Sequence, residues 1–447
     1  MKINFKLFLF LLGSISGFSQ TETSTSSFTL QQAIEQAQKN NYSVVNANRD
    51  LEIAKQKKWE TTTMGLPQLT GSANYQNTFE FQKQGAAANA FNPMADPNEI
   101  TLLAFGTKHT AIGNLTLSQL IFDGSYLVGL QSAKTYLKIS ENAQVKTNQE
   151  IKEIVINSYG NVLLADESIL IINKNKVVLE KIISDTKEIY KNGLIEEENI
   201  EQLQITLNSV NNALDNVTKQ RVIALNMVKL LMGINLDEPI VLTDKLTTLT
   251  QDNIDLQILA SEFNVNNNID YQIGKNQEES KRLMVKFEKS KALPSLGAQL
   301  NFGYNAFSNE FTFFNSDQKW SNYSNVGVGL TVPIFSSGAR SSRVQQAKID
   351  LEKSRTALTE TEQKLKLQHQ KAKSDYEYSI NQYNNAQANL KLAERIENKQ
   401  QVKFKEGLSS SFDFAEAQKQ LYTAQQEVLQ AMLDIVNKKA TLEKLLN

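Results

Sequence analysis

Two hydrophobic rhythms alternate along this chain, and they come in the same order twice. Leu69, Gly71, Ala73 and Tyr75 stand against Gln68, Thr70, Ser72, Asn74 and Gln76, and Leu296, Ala298, Leu300, Phe302 and Tyr304 against Ser295, Gly297, Gln299, Asn301 and Gly303. A period of two with one apolar side is the pattern of a strand with one apolar face. Return strands follow, with Leu115 and Leu117 set against Asn114, Thr116 and Ser118, and Val326, Val328, Leu330 and Val332 set against Asn325, Gly327, Gly329 and Thr331. The predicted strand pairs are 68–82 with 109–122 and 295–306 with 323–335. Each strand is long enough to cross a bilayer, which takes about 9 to 11 tilted residues. The segments between them, Gln84 to Thr107 and Asn305 to Asn322, are rich in Asn, Ala, Ser and Phe and read as loose outer loops.

The second rhythm is helical. A helix is predicted before each strand pair, Leu30 to Thr62 and Asn253 to Lys291. Each stops at a Leu-Pro step, Leu66-Pro67 or Leu293-Pro294, because proline disfavours helix in the residue before it. After each return strand, Phe122-Asp123-Gly124 and Phe335-Ser336-Ser337-Gly338 turn the chain into a long helix with apolar positions such as Leu127, Leu130, Ala133 and Leu137. Gly124, Ala133-Lys134 and Gly193-Leu194 recur at one constant spacing as Gly338, Ala347-Lys348 and Gly407-Leu408. The glycine-to-glycine segment therefore has the same length in both halves, as a rigid rod requires. At ~1.5 Å per residue such a helix is about 100 Å long. The rods reverse at Gly193 and Gly407 into second helices, Asn199 to Leu231 and Phe412 to Leu446. The predicted layout is a repeat over 28–232, a small segment at 233–251 and a second repeat over 252–447.

Composition narrows the class. Only 19 Gly and 6 Pro punctuate 447 residues, as suits long helices. The first 19 residues, with Lys2 and Lys6 before the apolar run Leu7 to Leu12, read as a secretory signal. No cysteine exists for a lipid anchor or a disulfide, and Lys+Arg 47 against Asp+Glu 48 argues against a nucleic-acid partner. No later stretch approaches a membrane-spanning helix, so a bilayer would be crossed by strands. Four strands with one apolar face cannot close a barrel, and open sheet edges are not tolerated in lipid. Several copies must share it. Three copies would give 12 strands, within the range of outer-membrane barrels, whereas two would give eight, whose interior side chains fill.

The export signal, the Leu-Pro-Leu start of the strands, the Leu117 to Phe122 and Leu330 to Phe335 turns into rods of equal length, and Tyr190-x-x-Gly193-Leu194 at a rod tip resemble the TolC family of outer-membrane efflux proteins. The resemblance covers about residues 28 to 447. It implies an α+β membrane protein: a homotrimer whose four strands per chain build a 12-stranded barrel in the outer-membrane lipid, with coiled helical hairpins forming a tunnel in the periplasm. It also implies a periplasmic adaptor protein and an inner-membrane RND or ABC pump as partners, a passive conduit for efflux or type I secretion, and no cofactor or metal.

Counting from Gly407, the resemblance places acidic rings of the periplasmic aperture at Asp413 and Glu416, one helical turn apart. The plainer reading is that Asp413 complements a helix N-terminus behind Ser409, Ser410 and Ser411. In the first hairpin the matching position is Asn199, beside Glu196, Glu197 and Glu198. Gly193, Leu194, Gly407 and Leu408 would be adaptor-docking turns, against the reading that glycine takes the left-handed C-cap and leucine covers the helix end. Phe122, Gly124, Phe335 and Gly338 mark the strand-to-helix turns. The aromatics near Tyr75, Phe79, Phe81 and Phe302 to Phe314 suit either an interfacial girdle or packing of the outer loops. The only histidines are His109 and His369, and no phosphate loop, Ser-His-Asp order or Cys-His spacing is present, so an enzyme is not expected. A periplasmic coiled-coil adaptor, or a structural protein without a pore, is the competing reading; an adaptor would have one hairpin rather than two.

Overall fold

The computed structural model describes residues 26–193 and 195–446. The predicted signal and Leu194 lie outside them. Along the chain come β1 (Ser26–Phe28), α1 (Leu30–Asn40), α2 (Tyr42–Thr63), β2 (Gln68–Asn77), β3 (Lys83–Ala87), β4 (Ile100–Ala104), β5 (His109–Asp123), α3 (Gly124–Lys191), α4 (Glu198–Met232), β6 (Ile240–Leu242), α5 (Leu246–Asp252), α6 (Ile269–Ser290), β7 (Ser295–Ser308), β8 (Trp320–Thr331), α7 (Ala339–Lys405) and α8 (Ser411–Leu446). The two rods, α3 and α7, are 68 and 67 residues long. The chain divides into two compact units. One comprises the N-terminal segment to Asn41, Ile151–Asp255 and Ser379–Asn437; the other comprises Tyr42–Glu150, Leu256–Tyr378 and Lys438–Asn447.

The second of these units holds an antiparallel sheet in the order β2-β5-β7-β8. Its register aligns the alternation read from the sequence. Leu69 pairs with Leu117, Leu117 with Leu300 and Leu300 with Val326 on one face. On the other face Thr70, Thr116, Asn301 and Asn325 form a cross-strand row. Within it the Thr116 hydroxyl donates to Asn301 Oδ1 at 2.8 Å and Asn301 Nδ2 to Asn325 Oδ1 at 3.0 Å. A bulge between Leu120 and Phe122 shifts the phase of β5, so Phe122 pairs with Leu296 and joins the apolar face. Helix α6 packs on α7 through Val285, Ala347 and Leu351. Arg355, on α7, bonds Glu278 of α6 at 3.1 Å.

In the other unit the α3, α4 and α8 helices share a cluster of Leu179, Ile182, Ile183, Leu203 and Phe414. Gly160 of α3 lies so close to Leu433 of α8 that a Cβ there would collide. Strand β1 pairs in parallel with β6. The fully buried Tyr159 of α3 sends its hydroxyl to Phe28 O at 2.9 Å and Asp244 Oδ2 at 3.0 Å, and Asp244 also accepts the Leu30 N–H at 2.6 Å. Burial, first, and the Asp244 carboxylate raise the Tyr159 phenol well above its usual value.

Several expectations are corrected. The first helix breaks at Asn41, whose backbone is extended and whose Nδ2 donates to Leu231 O at 2.9 Å. The helix expected from Asn253 starts only at Ile269. The asparagines at 264 and 268 bond the backbone two residues on, which competes with helix and places Asn268 at the N-cap. Residues 84–107 are no loose loop but contain the β3–β4 hairpin. Strand β7 runs on to Ser308, β8 begins at Trp320, and β8 ends at Thr331 rather than Phe335, because Pro333 has no N–H to give the ladder. Helix α3 also meets the length and composition of a membrane span in one window. Its buried Val155, Tyr159, Val162 and Leu163 give the apolarity a packing role.

Candidate functional site

The rod tips lie in the unit that contains the β1–β6 pair. Helix α7 ends in a paired C-cap: Gly407, at φ +70°, donates to Phe404 O at 3.1 Å and Leu408 to Lys403 O at 2.8 Å. Leu408 does not cover the helix end as the plainer reading supposed; it is 78% exposed, with Phe412 exposed beside it. The first tip turns at Gly193, φ +73°, whose N–H bonds Tyr190 O at 2.8 Å.

Helix α8 opens with a reciprocal cap. Ser410 Oγ accepts the Asp413 N–H at 3.1 Å, while Asp413 Oδ2 accepts the Ser410 hydroxyl at 2.7 Å and the Ser410 N–H at 3.3 Å. The Ser410 hydroxyl, then its N–H, then Ser409 and the Lys403 charge hold the Asp413 carboxyl below its ordinary range. Asp413 therefore does the capping work of the plainer reading and stays exposed. Glu416, one turn on, is also exposed and lines a cavity of about 310 Å³ with Leu179, Ile205, Val210, Phe412 and Tyr422. In the first hairpin Asn199 instead donates through its backbone N–H and Nδ2 to Glu196 O, and α4 starts at Glu198 behind Glu197, which makes no side-chain cap bond.

Sequence reading missed two groups here. The Glu397 carboxyl of α7 is raised by burial and takes a hydrogen bond from Gln418 of α8. Phe404 stacks on the fully buried Phe414, rings 5.6 Å apart. The available signal was a Phe on each side of the Gly407 turn, Phe404 before it and Phe414 after it.

The strand-to-helix turns, in the sheet-bearing unit, are built by different means. At the first, Asp123 Oδ1 accepts the Tyr126 N–H at 2.9 Å, and Gly124 permits close approach, since a Cβ there would lie 2.6 Å from Leu293. At the second, Ser337 and Gly338 both have positive φ. Arg340 ties the turn through Pro333 O at 2.9 Å, Ser336 Oγ at 3.0 Å and Ile334 O at 3.1 Å. Phe335 points out to the surroundings, whereas Phe122 lies on the sheet. Neither Asp123 nor Arg340 stood out in the sequence. At the far end of the sheet Tyr75 packs against Phe311 and Phe313 and bonds His109 at 2.8 Å, so this part of the aromatic set serves loop packing.

Residues 266–447 match the family model described as outer membrane efflux protein. No curated protein matches the sequence. Among solved structures, the fold is similar to CusC, described for transmembrane channel formation (TM-score 0.73, 16% identity, 94% of this chain and 92% of that one). It is also similar to the CmeC outer membrane channel of Campylobacter jejuni (0.70, 20%, 93% and 85%) and to the outer membrane protein VceC of Vibrio cholerae (0.70, 16%, 93% and 95%). At these identities the likeness is one of fold. The family match and the shared fold together bear out the TolC-like resemblance and the outer-membrane location that goes with it.

Proposed function

We propose that this chain, a TolC-like outer-membrane efflux protein by the sequence of its second repeat and by its fold throughout, is one of three copies that close a 12-stranded barrel and together form a passive conduit. The observation that carries the reading is the four-stranded sheet: its edges, β2 and β8, have no partner strand among the described residues, while an apolar row and a hydrogen-bonded polar row run across all four strands. Unpaired edge groups cost several kcal/mol each in hydrocarbon. A second copy's edge satisfies them, and closure by several copies leaves none open. The apolar face then meets lipid and the Thr/Asn face lines water.

At the second rod tip, the exposed Leu408 and Phe412 form the surface for a periplasmic adaptor, which links the conduit to an energised inner-membrane RND or ABC pump. Asp413 and Glu416 from three copies form stacked acidic rings that favour cations and resist mutual approach. The chain itself performs no chemistry in this scheme. Native mass measurement and planar-bilayer recording test it together: three copies per particle with discrete conductance steps are expected. A monomer or a silent particle would return the chain to the structural coiled-coil reading.

A further inference from the structure

Behind the rod tips the helices enclose a space that the conduit reading leaves unused. It measures about 310 Å³ and lies between α4 and α8, over α3. The buried Ile172 and Leu179 of α3 form its floor, Ile205 and Val210 of α4 one wall, and Phe412 and Tyr422 of α8 the other. Ile205 stays 60% exposed, so apolar surface here is left without a cover.

Size excludes a helix as the occupant. One turn of α-helix, ~10 Å across and about 5.4 Å long, fills about 420 Å³. A small molecule fits, since ligand cavities begin at about 300 Å³. The polar lining then sets its chemistry. The Thr206 and Ser209 hydroxyls donate to Gln202 O and Ile205 O of their own helix, each at 3.1 Å, Asn175 Nδ2 donates to Gln425 Oε1 at 2.8 Å, and Gln418 bonds Glu397. The half-buried Tyr422 hydroxyl has no hydrogen-bond partner among the described residues, and burial pushes its phenol up, so it stays a protonated donor that needs an acceptor. The exposed Glu416 and Lys419, one helical turn apart, also line the space, and their charges cancel. The site therefore favours a ligand of neither sign.

We propose that this space is a binding site for a small, neutral, apolar ring compound with one carbonyl or ether oxygen, which accepts a hydrogen bond from Tyr422. A ligand seated there bridges the return helices of the two hairpins, α4 and α8. All of its walls come from one chain, so the site stands whether or not copies share a barrel.

Prodan, a neutral naphthyl ketone whose emission moves to the blue in apolar surroundings, tests the site on the full-length protein purified in detergent. Blue emission that saturates at one probe per copy is expected, together with slower amide exchange over 205–213 and 415–422. Ser209→Trp, which sets an indole over the opening from an exposed position, should abolish both signals, and Ala213→Trp, one turn on, serves as a second block. Tyr422→Phe keeps the ring and should weaken binding about fivefold. Native-gel migration equal to that of the unaltered protein shows that each variant is folded. Emission that never saturates, or that both tryptophan variants leave unchanged, would place the probe in detergent or elsewhere on the chain and overturn the site. Folded protein that takes up no probe, its space filled by a neighbouring copy or another protein, would overturn it equally. Unchanged affinity in Tyr422→Phe would overturn the acceptor-bearing class of ligand.

Discussion

The two rod tips occupy equivalent places in the duplication yet are built to different standards. At the second tip, the box of Ser410 and Asp413 caps α8 and Phe414 is fully buried against Phe404. The residues at the same spacing in the first tip are Glu196, Asn199, Ile200 and Tyr190. There the Asn side chain donates to a carbonyl instead of accepting an N–H, Ile200 is half-buried and Tyr190 is 39% exposed. Two ends of equal length thus differ in how firmly the returning helix is pinned. The duplication conserves rod length, while local side-chain chemistry sets each tip separately. The second tip presents a fixed apolar point, Leu408, on a stiff support; the first begins its return helix without a side-chain cap.

Changes at the tips test this contrast. The largest effect is expected from Leu408→Asp, which should abolish transport in a cellular efflux assay while trimers still insert in the membrane; normal efflux would remove Leu408 from the docking surface. Phe414→Ala should cost about 3–5 kcal/mol locally and expose α8 to protease near residue 414. Ile200→Ala, at a half-buried site, should cost less than half of that. Equal losses would erase the distinction between the tips.

Transplanting the cap sharpens it further. Glu196→Ser together with Asn199→Asp should give α4 the second tip's box and stabilise its first turn by about 1 kcal/mol, and Ser410→Ala should take a similar amount from α8. Slowed amide exchange over 198–203 and quickened exchange over 411–416 are the respective readouts.

The smallest effect is acid dependence. The folded-state value of Asp413 is lowered, so its contribution is present above the unfolded carboxylate value and is lost as pH falls through the folded one. The start of α8 should therefore loosen only below about pH 4, and Asp413→Asn should remove that pH dependence. Amide exchange at 411–416 across that range reads it directly.

What could be read from sequence was whatever is written in local periodicity. The alternation around Leu69 and Leu300 and the fixed distance from Gly124 to Gly193 are properties of consecutive residues, and they located the strands, the rods and their turns. The bulge before Phe122 is set by pairing with β7, which alternation along one strand does not encode. The β3–β4 hairpin escaped notice because Gly85, Ala86 and Ala87 carry little strand signal and the Ile100 to Ala104 run that pairs with them is short. Asn264 and Asn268 carried a usable signal, since asparagine favours caps over helix interiors, but the helical period around them masked it. At the candidate site the glycine turns and Asp413 were visible. The Arg340 tie to Pro333 and the Glu397–Gln418 bond join groups by side-chain reach, and no spacing rule exposes them.

The proposed conduit depends on the sharing of the β2 and β8 edges between copies. It can be measured in a protein that has no cysteine of its own. A cysteine is placed at Ala73 in β2, and a second is walked along β8 from Trp320 to Thr331, with mild oxidation in the native membrane. Three copies sharing edges predict disulfide-linked dimers and trimers at one register of β8 and little at registers well away from it. Absence of any interchain link along the whole of β8, with the protein inserted and folded, would contradict the shared barrel.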